Sequence, residues 1–461
     1  MGYNSACVCF KEDSMHISLS DHFNYRKLLR FTFPSIIMMI FTSIYGVVDG
    51  LFVSNFVGKT PFAAINLIWP FLQILGCAGF MLGTGGSALV SKTMGEGKPD
   101  KANRYFSILI LTTVVLGVAI TVPGMFLMEP VAILLGADEA MLPYCVTYGR
   151  IILAAQTAFM LQGVFQSFLV TAERPTLGLI VTVGAGVTNM ALDFLFIAVF
   201  DWGLIGAAVA TITSQIVGGV IPLIYFLLPN KSPLRLIRPR LAPSEGARVI
   251  IKACTNGSSE LMTNISMSVV SMLYNYQLMR LAGEDGIAAY GVMMYVSFVF
   301  VSVFIGYAIG SAPIVGFHYG AGNHGELKSL LRKSLFLTTA AGIGMMVLAV
   351  VLATPLSGIF VGYDEGLYEL TRRGFLLYSV SFLLAGFSIF GSSFFTALGN
   401  GGISAAISFL RTLVFQVAAV LILPIFFDID GVWLAISAAE LMALVVTMAF
   451  LFGMRKKYKY M

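Results

Sequence analysis

The sequence predicts an all-α membrane protein: twelve transmembrane helices in two six-helix lobes, related by a pseudo-two-fold axis along the membrane normal. Three observations predict it. Of 461 residues, 58% are hydrophobic and only 11% charged, where a soluble domain carries about 25% charge. Apolar runs of at least the roughly 20 residues needed to cross the hydrocarbon core recur along the whole chain. The basic residues gather in every second connection between those runs. The net charge of +5 is therefore a matter of membrane topology and carries no nucleic-acid signature.

The expected spans are 27–54, 61–90, 103–127, 142–170, 176–199, 203–228, 248–280, 286–317, 329–352, 367–396, 402–427 and 431–454. Several exceed the minimum, so tilted or kinked helices are expected. Ahead of them, residues 1–26 form a polar segment without the apolar stretch of a cleavable signal, so the first span is expected to direct membrane entry. With that segment in the cytoplasm, 22 of the 28 basic residues lie inside, among them Lys11, Arg26, Lys92, Lys101, Arg174, Arg240 and Lys333. Lys59, Arg150, Arg280, Arg372 and Arg373 lie outside, and Arg411 falls within a span. A buried, all-helical soluble core would not sort its charges this way. The expected location is the plasma membrane, crossed many times, with both termini cytoplasmic.

The Pro-rich stretch 229–247 is the longest polar break and divides the chain into an N-lobe (27–228) and a C-lobe (248–454), followed by a basic tail (455–461). The lobes echo each other at a constant offset of 225 residues. Gly58 meets Gly283, Gly85 meets Gly310, Gly95 and Gly97 meet Gly320 and Gly322, Thr171-Ala172 meets Thr396-Ala397, and Gly206 meets Gly431. Six spans per lobe is an even number, so the lobes share one orientation and their axis runs along the membrane normal. Cys7 and Cys9 are too close for an ordinary disulfide, and Cys77, Cys145 and Cys254 lie in apolar segments or at their ends. Neither a disulfide framework nor a zinc site is expected.

Charges inside spans are costly and read as functional. They are Asp49, Asp193, Glu260, Glu440 and Arg411. Counting from the outer ends at 1.5 Å per residue puts Asp49, Asp193 and Thr211 roughly 8–12 Å deep. Asn189 sits one helical turn from Asp193 on the same face. Two carboxylates, an amide and a hydroxyl at one depth suit a hard cation such as sodium. Two buried carboxylates at close quarters cannot both stay ionised, which suits a proton equally. At the repeat offset these positions become Tyr274, Val414, Ala418 and Ile436, so the cluster belongs to the N-lobe alone. Glu260 and Arg411 lie at similar depth from the inner side, where they could pair as a secondary polar site. Glu440 has no partner readable from the sequence. Pro34 removes a hydrogen bond from the first helix and is a candidate hinge. Met293, Met294 and Tyr295 are candidates for the lining of an apolar cavity, and His16, His22, His318 and His324 read as solvated loop residues.

Pro34 followed by Asp49, the GKTPFAAIN turn, SKTMGEGKPDKA after the second span, their echoes in the second half, and NMALD with Asn189 and Asp193 resemble the multidrug and toxic compound extrusion (MATE) family. The NMALD stretch is similar to its DinF-like and MepA-like branches. The resemblance covers nearly the whole chain. It implies two six-helix lobes in a V around a central cavity and export of organic cations in exchange for sodium ions or protons. It also implies that Asp49, Asn189, Asp193 and Thr211 form the cation site, and it keeps Glu260 in play, since some branches use a Glu on the seventh helix. The expected partners are amphipathic cations and membrane lipid, with no nucleic acid, no cofactor beyond the coupling ion, no metal beyond sodium, and a monomeric chain. Two other classes compete. A flippase for lipid-linked saccharide precursors would need a strongly cationic cavity, whereas here the intramembrane acids outnumber Arg411. An enzyme would need a nucleophile–base or metal cluster, and no such motif accompanies His318 and His324; nor does any loop carry a Walker A pattern.

Overall fold

The computed structural model describes residues 17–239, 242–362 and 364–461. Cys7, Cys9, Lys11, His16 and Arg240 lie outside them. Among the described residues nine helical runs and one bent pair are long and apolar enough to cross a membrane. Two of the runs, Pro243–Gly320 and Gly401–Tyr458, are each two helices joined at a non-helical residue, Gly283 and Asp428. The rings of Tyr274 and Tyr290 stack 5.1 Å apart, although sixteen residues of straight helix would separate them by roughly 24 Å. A Cβ placed on Gly431 would lie 2.5 Å from the Leu423 backbone, again a hairpin contact. The spans therefore number twelve: α1 (Tyr25–Phe56), α2 (Lys59–Gly95), α3 (Pro99–Leu134), α4 (142–171, bent 55° where Leu142–Ala154 meets Gln156–Thr171), α5 (Pro175–Val199), α6 (Gly203–Leu227), α7 (243–282), α8 (284–320), α9 (His324–Val361), α10 (Glu365–Ala397), α11 (401–427) and α12 (429–458).

Local sequence sets these ends. Asn24, Asn323, Asp364 and Asn400 accept backbone N–H groups at the starts of α1, α9, α10 and α11, replacing bonds the first turn lacks. Proline occupies the first turn of α3, α5 and α7, where its missing N–H costs nothing. The turns repeat at the offset read from the sequence: positive φ recurs at Gly58 and Gly283, Gly97 and Gly322, Gly203 and Asp428. The backbone thus has the same corner at the same place in each half. Helix α7 begins at Pro243, inside the stretch expected to be linker. The preceding residues are not a loose connection, because Arg235 and Ile237 donate backbone N–H groups to Asn103 and Ser107 of α3 and Leu234 is fully buried.

The hydrophobic cores define the shape. At the end bearing the turns at Gly58, Gly203, Gly283 and Asp428, one core (Val53, Ala64, Ile68, Leu153, Leu204) is confined to the first half and another (Tyr274, Ala289, Phe375, Trp433) to the second. At the opposite end the cores mix halves. Leu28 and Phe31 of α1 pack with Ile314 and Phe394, and Val249 and Ala253 of α7 pack with Phe106 and Phe168. The halves are fused at one end and diverge at the other. Glycines allow the fusion: a Cβ at Gly85, Gly95, Gly257 or Gly320 would lie 1.9–2.0 Å from a backbone oxygen of the other half. Large apolar side chains such as Phe126, Leu134, Ile359 and Ile425 are more than 70% exposed on the outside of the bundle, as a lipid-facing surface requires.

Residues 17–24 fasten the fused end. Glu173, in the turn after α4, accepts from the Ser18 hydroxyl (2.8 Å) and the Leu19 N–H (2.7 Å). Glu326, in the first turn of α9, bonds His22 Nδ1 (2.6 Å) and the Phe23 N–H (2.9 Å), and Lys333 donates to the Phe23 carbonyl. Leu19 and Phe23 are fully buried. This segment, polar by composition, is therefore a strap from one half to the other. It also corrects the reading of His318, which is 2% exposed and packs edge-on against Phe23 and Phe317 rather than standing in solvent.

Candidate cation site and central cavity

Within the first half, α1 brings Tyr45 and Asp49 on successive turns against Asn189 and Asp193 of α5. The approach depends on Gly186, where a Cβ would lie 2.5 Å from the Phe41 ring and 2.9 Å from that of Tyr45. Asp193 is fully buried and Asn189 2% exposed. Asp49 Oδ1, Asn189 Oδ1 and both Asp193 oxygens are buried with no hydrogen-bond partner among the described residues. Buried oxygens left unpaired beside a second carboxylate are unfavourable unless a proton or a cation joins them. Oxygen donors of this kind suit a hard ion. The residues present therefore fit a sodium ion or a proton carried as a transported species.

Thr211 of α6 faces the same cluster, beside Tyr148, which is buried against Asp49 and Asp193. Gln162 of α4 lies against Tyr45, with room for it made by Gly218, where a Cβ would meet its amide carbon at 2.7 Å. The four residues singled out from the sequence are thus together, and Tyr45, Tyr148 and Gln162 complete their surroundings. Directly after Asp193, α5 takes a π-helical turn, Phe194–Val199, and α11 takes another at Leu410–Val414, around Arg411. Such turns concentrate at functional positions.

A cavity of about 300 Å³ lies between the halves. Among the described residues the first half lines it through Met39, Ser43, Thr84, Ser87 and Ser167; the second supplies the rest, including Glu260, Tyr274, Tyr378, Arg411, Gln416 and Glu440. Sixteen of its thirty-six lining residues are Ser or Thr, several of them bonded back to their own helix, as Thr84, Thr263, Ser302 and Thr412 are, and the wall as a whole exposes more apolar than polar surface. Of the candidate lining residues on α8, Met294 faces it, whereas Met293 is buried against Gly374 and Trp433 and Tyr295 is not part of the lining. The expected Glu260–Arg411 pair is not formed. Arg411 Nε bonds both Glu440 oxygens at 2.8 and 2.9 Å, and its Nη2 lies 2.7 Å from Glu440 Oε1. The Glu260 carboxylate, on α7, has no hydrogen-bond or ion-pair partner among the described residues, although its backbone carbonyl accepts from Asn264 and Cys77. Helix α1 lies between site and cavity: Met39 and Ser43 face the cavity, Tyr45 and Asp49 the carboxylate cluster. Pro34 is in the same helix, toward the fused end.

Twelve spans in two like halves, a cavity between them and a buried carboxylate cluster beside it define a membrane transporter fold. A model of the MatE family matches residues 34–195 and again 261–422, one copy per half and together more than half of the chain. The chain belongs to the MatE family. It is 23% identical over 418 residues to the multidrug export protein MepA of Staphylococcus saprophyticus, covering 89% of this chain and 88% of that one. A solved outward-facing conformation of a multidrug resistance MATE family transporter of the MOP superfamily matches with a TM-score of 0.89 at 21% identity, covering 95% and 98% of the two chains. A MOP superfamily transporter from Pyrococcus furiosus, described as having a binding pocket of reverse polarity, matches with a TM-score of 0.85 at 22% identity over 95% and 97%.

Proposed function

We propose that this chain is a secondary active transporter that exports amphipathic organic compounds carrying positive charge in exchange for sodium ions or protons. The observation that carries the reading is the set of orphaned oxygens on Asp49, Asn189 and Asp193, joined through α1 to the cavity. A cation or proton stabilises that cluster in one conformation more than in another, and this difference is what a gradient can drive. The route to the cavity is α1, with Pro34 as its hinge. The moving units are the N-lobe (27–228) and the C-lobe (248–454). Export of varied compounds agrees with the name of the MepA relative. No cofactor and no catalysed reaction are involved; the coupling ion supplies the energy.

The protein sits in the plasma membrane as a monomer among lipids, with both termini and the 229–247 linker in the cytoplasm. The fused end is then the inner one, and the cavity belongs to an outward-facing state. Labelling of Lys231→Cys, an exposed position, by an impermeant maleimide added outside intact cells would overturn this orientation. A flippase is disfavoured because Glu440 neutralises the cavity's one arginine and Glu260 remains, which repels a pyrophosphate. The decisive test is substrate flux in proteoliposomes under separately imposed sodium and proton gradients. One of them is expected to drive uphill movement, and failure of both would overturn the reading.

A further inference from the structure

The cavity's charged groups are organised for more than a simple cation. Glu440 engages Nε and Nη2 of Arg411, but a guanidinium has five N–H groups. The remaining donors meet no acceptor among the described residues, and the Arg411 side chain is 14% exposed where Glu440 is 2%. The unused edge of the fork therefore opens into the cavity. The Glu260 carboxylate opens into the same space from α7, equally unpartnered. Tyr274 Oη and Ser388 Oγ are also buried there without partners. A plain cation would satisfy Glu260 and leave the arginine edge unmatched; a plain anion would meet the arginine and be repelled by Glu260.

Building on the transporter reading above, we propose that the preferred cargo is zwitterionic, an amphiphile whose cationic nitrogen group pairs with Glu260 and whose carboxylate is held by the free edge of Arg411. Glu440 is then a positioning residue. It fixes the guanidinium plane and cancels its net charge, so the edge acts as a directional donor rather than as a bare positive charge.

The test uses the purified full-length protein in detergent and two fluorescent dyes, rhodamine B, with a free carboxylate, and its ethyl ester, which is cationic only. Fluorescence anisotropy reads the binding of each. The zwitterion is expected to bind about tenfold tighter or more, the effect of a hydrogen bond to a charged group. Arg411→Lys, which keeps the charge opposite Glu440 but loses the planar fork, should abolish that preference while leaving ester binding in place. Glu260→Gln should weaken both dyes. If Arg411→Lys does not fold, Arg411→Met combined with Glu440→Met removes both charges and should give the same equalisation. Ester binding as tight as the free acid, or a preference that survives both arginine variants, overturns the proposal and leaves the transporter reading intact. Binding of neither dye overturns both.

Discussion

Substituting Gly85 or Gly257 with alanine tests whether the fused end is a gate. A Cβ at Gly85 would lie 2.0 Å from the Ala253 carbonyl oxygen, and one at Gly257 would lie 1.9 Å from that of Met81. Both neighbours are backbone atoms, so no side chain can swing aside. Restoring an ordinary contact requires α2 and α7 to part by roughly 1.5 Å. Overpacking of this kind costs about 1–3 kcal/mol. Because the cost falls only on the conformation in which these helices touch, it shifts the balance between states by roughly 5–150-fold. The readout is the maleimide reaction rate of Ser91→Cys in an otherwise cysteine-free protein. Ser91 lies on α2 six residues beyond Gly85 and is fully buried where α2 meets α8 at the same fused end, with its hydroxyl 2.3 Å from where a Gly316 Cβ would be. Either alanine should raise the rate strongly. Gly344→Ala should not, since nothing lies within 4 Å of its Cβ position. An unchanged rate in both variants, or an equal rise in the Gly344 control, would refute the gate.

Two further outcomes follow from buried polar contacts. Arg411→Ala leaves Glu440 charged and enclosed, and should destabilise the protein by about 3–5 kcal/mol, whereas replacing both residues by methionine should restore most of the loss; thermal unfolding in detergent compares the two. Glu326→Ala or Glu173→Ala should release one end of the strap, with a loss of about 1.5–3 kcal/mol for each charged hydrogen-bonding group. Hydrogen exchange at residues 18–23 should accelerate by the corresponding factor, and unaltered protection would show that the two glutamates do not hold the strap.

Much of this fold is legible in the sequence because membrane insertion is decided locally. Span length, loop charge and corner glycines are properties of short stretches, and the Gly58/Gly283 and Gly97/Gly322 pairs are positive-φ corners in the backbone as well as echoes in the text. Asp49, Asn189 and Asp193 were findable because a carboxylate in a span is conspicuous and helix rise converts position into depth. Tyr148 and Gln162 were not, since uncharged residues in a span look like ordinary packing. The partner of Arg411 was misread for a geometric reason. Depth pairs Arg411 with Glu260 and leaves Glu440 without a partner, but the actual choice depends on which way the side chain turns, and the π turn at Leu410–Val414 shifts the helical face that a uniform α-helical count assigns. The strap and buried His318 escaped because eight residues of polar composition owe their burial to partners, Glu173 and Glu326, more than a hundred residues away.

The most direct measurement is gradient-driven transport by Asp49→Asn and Asp193→Asn in proteoliposomes. Each carboxylate costs roughly 2.5–3.5 kcal/mol to hold charged within the membrane on insertion scales, so neutral Asn should insert and fold at least as well. Both variants are expected to be monodisperse, normally abundant and still able to bind cargo, yet unable to concentrate it against a gradient. Transport at the wild-type rate in both would contradict a coupling role for the cluster, and loss of expression in both would assign the two carboxylates to the architecture instead.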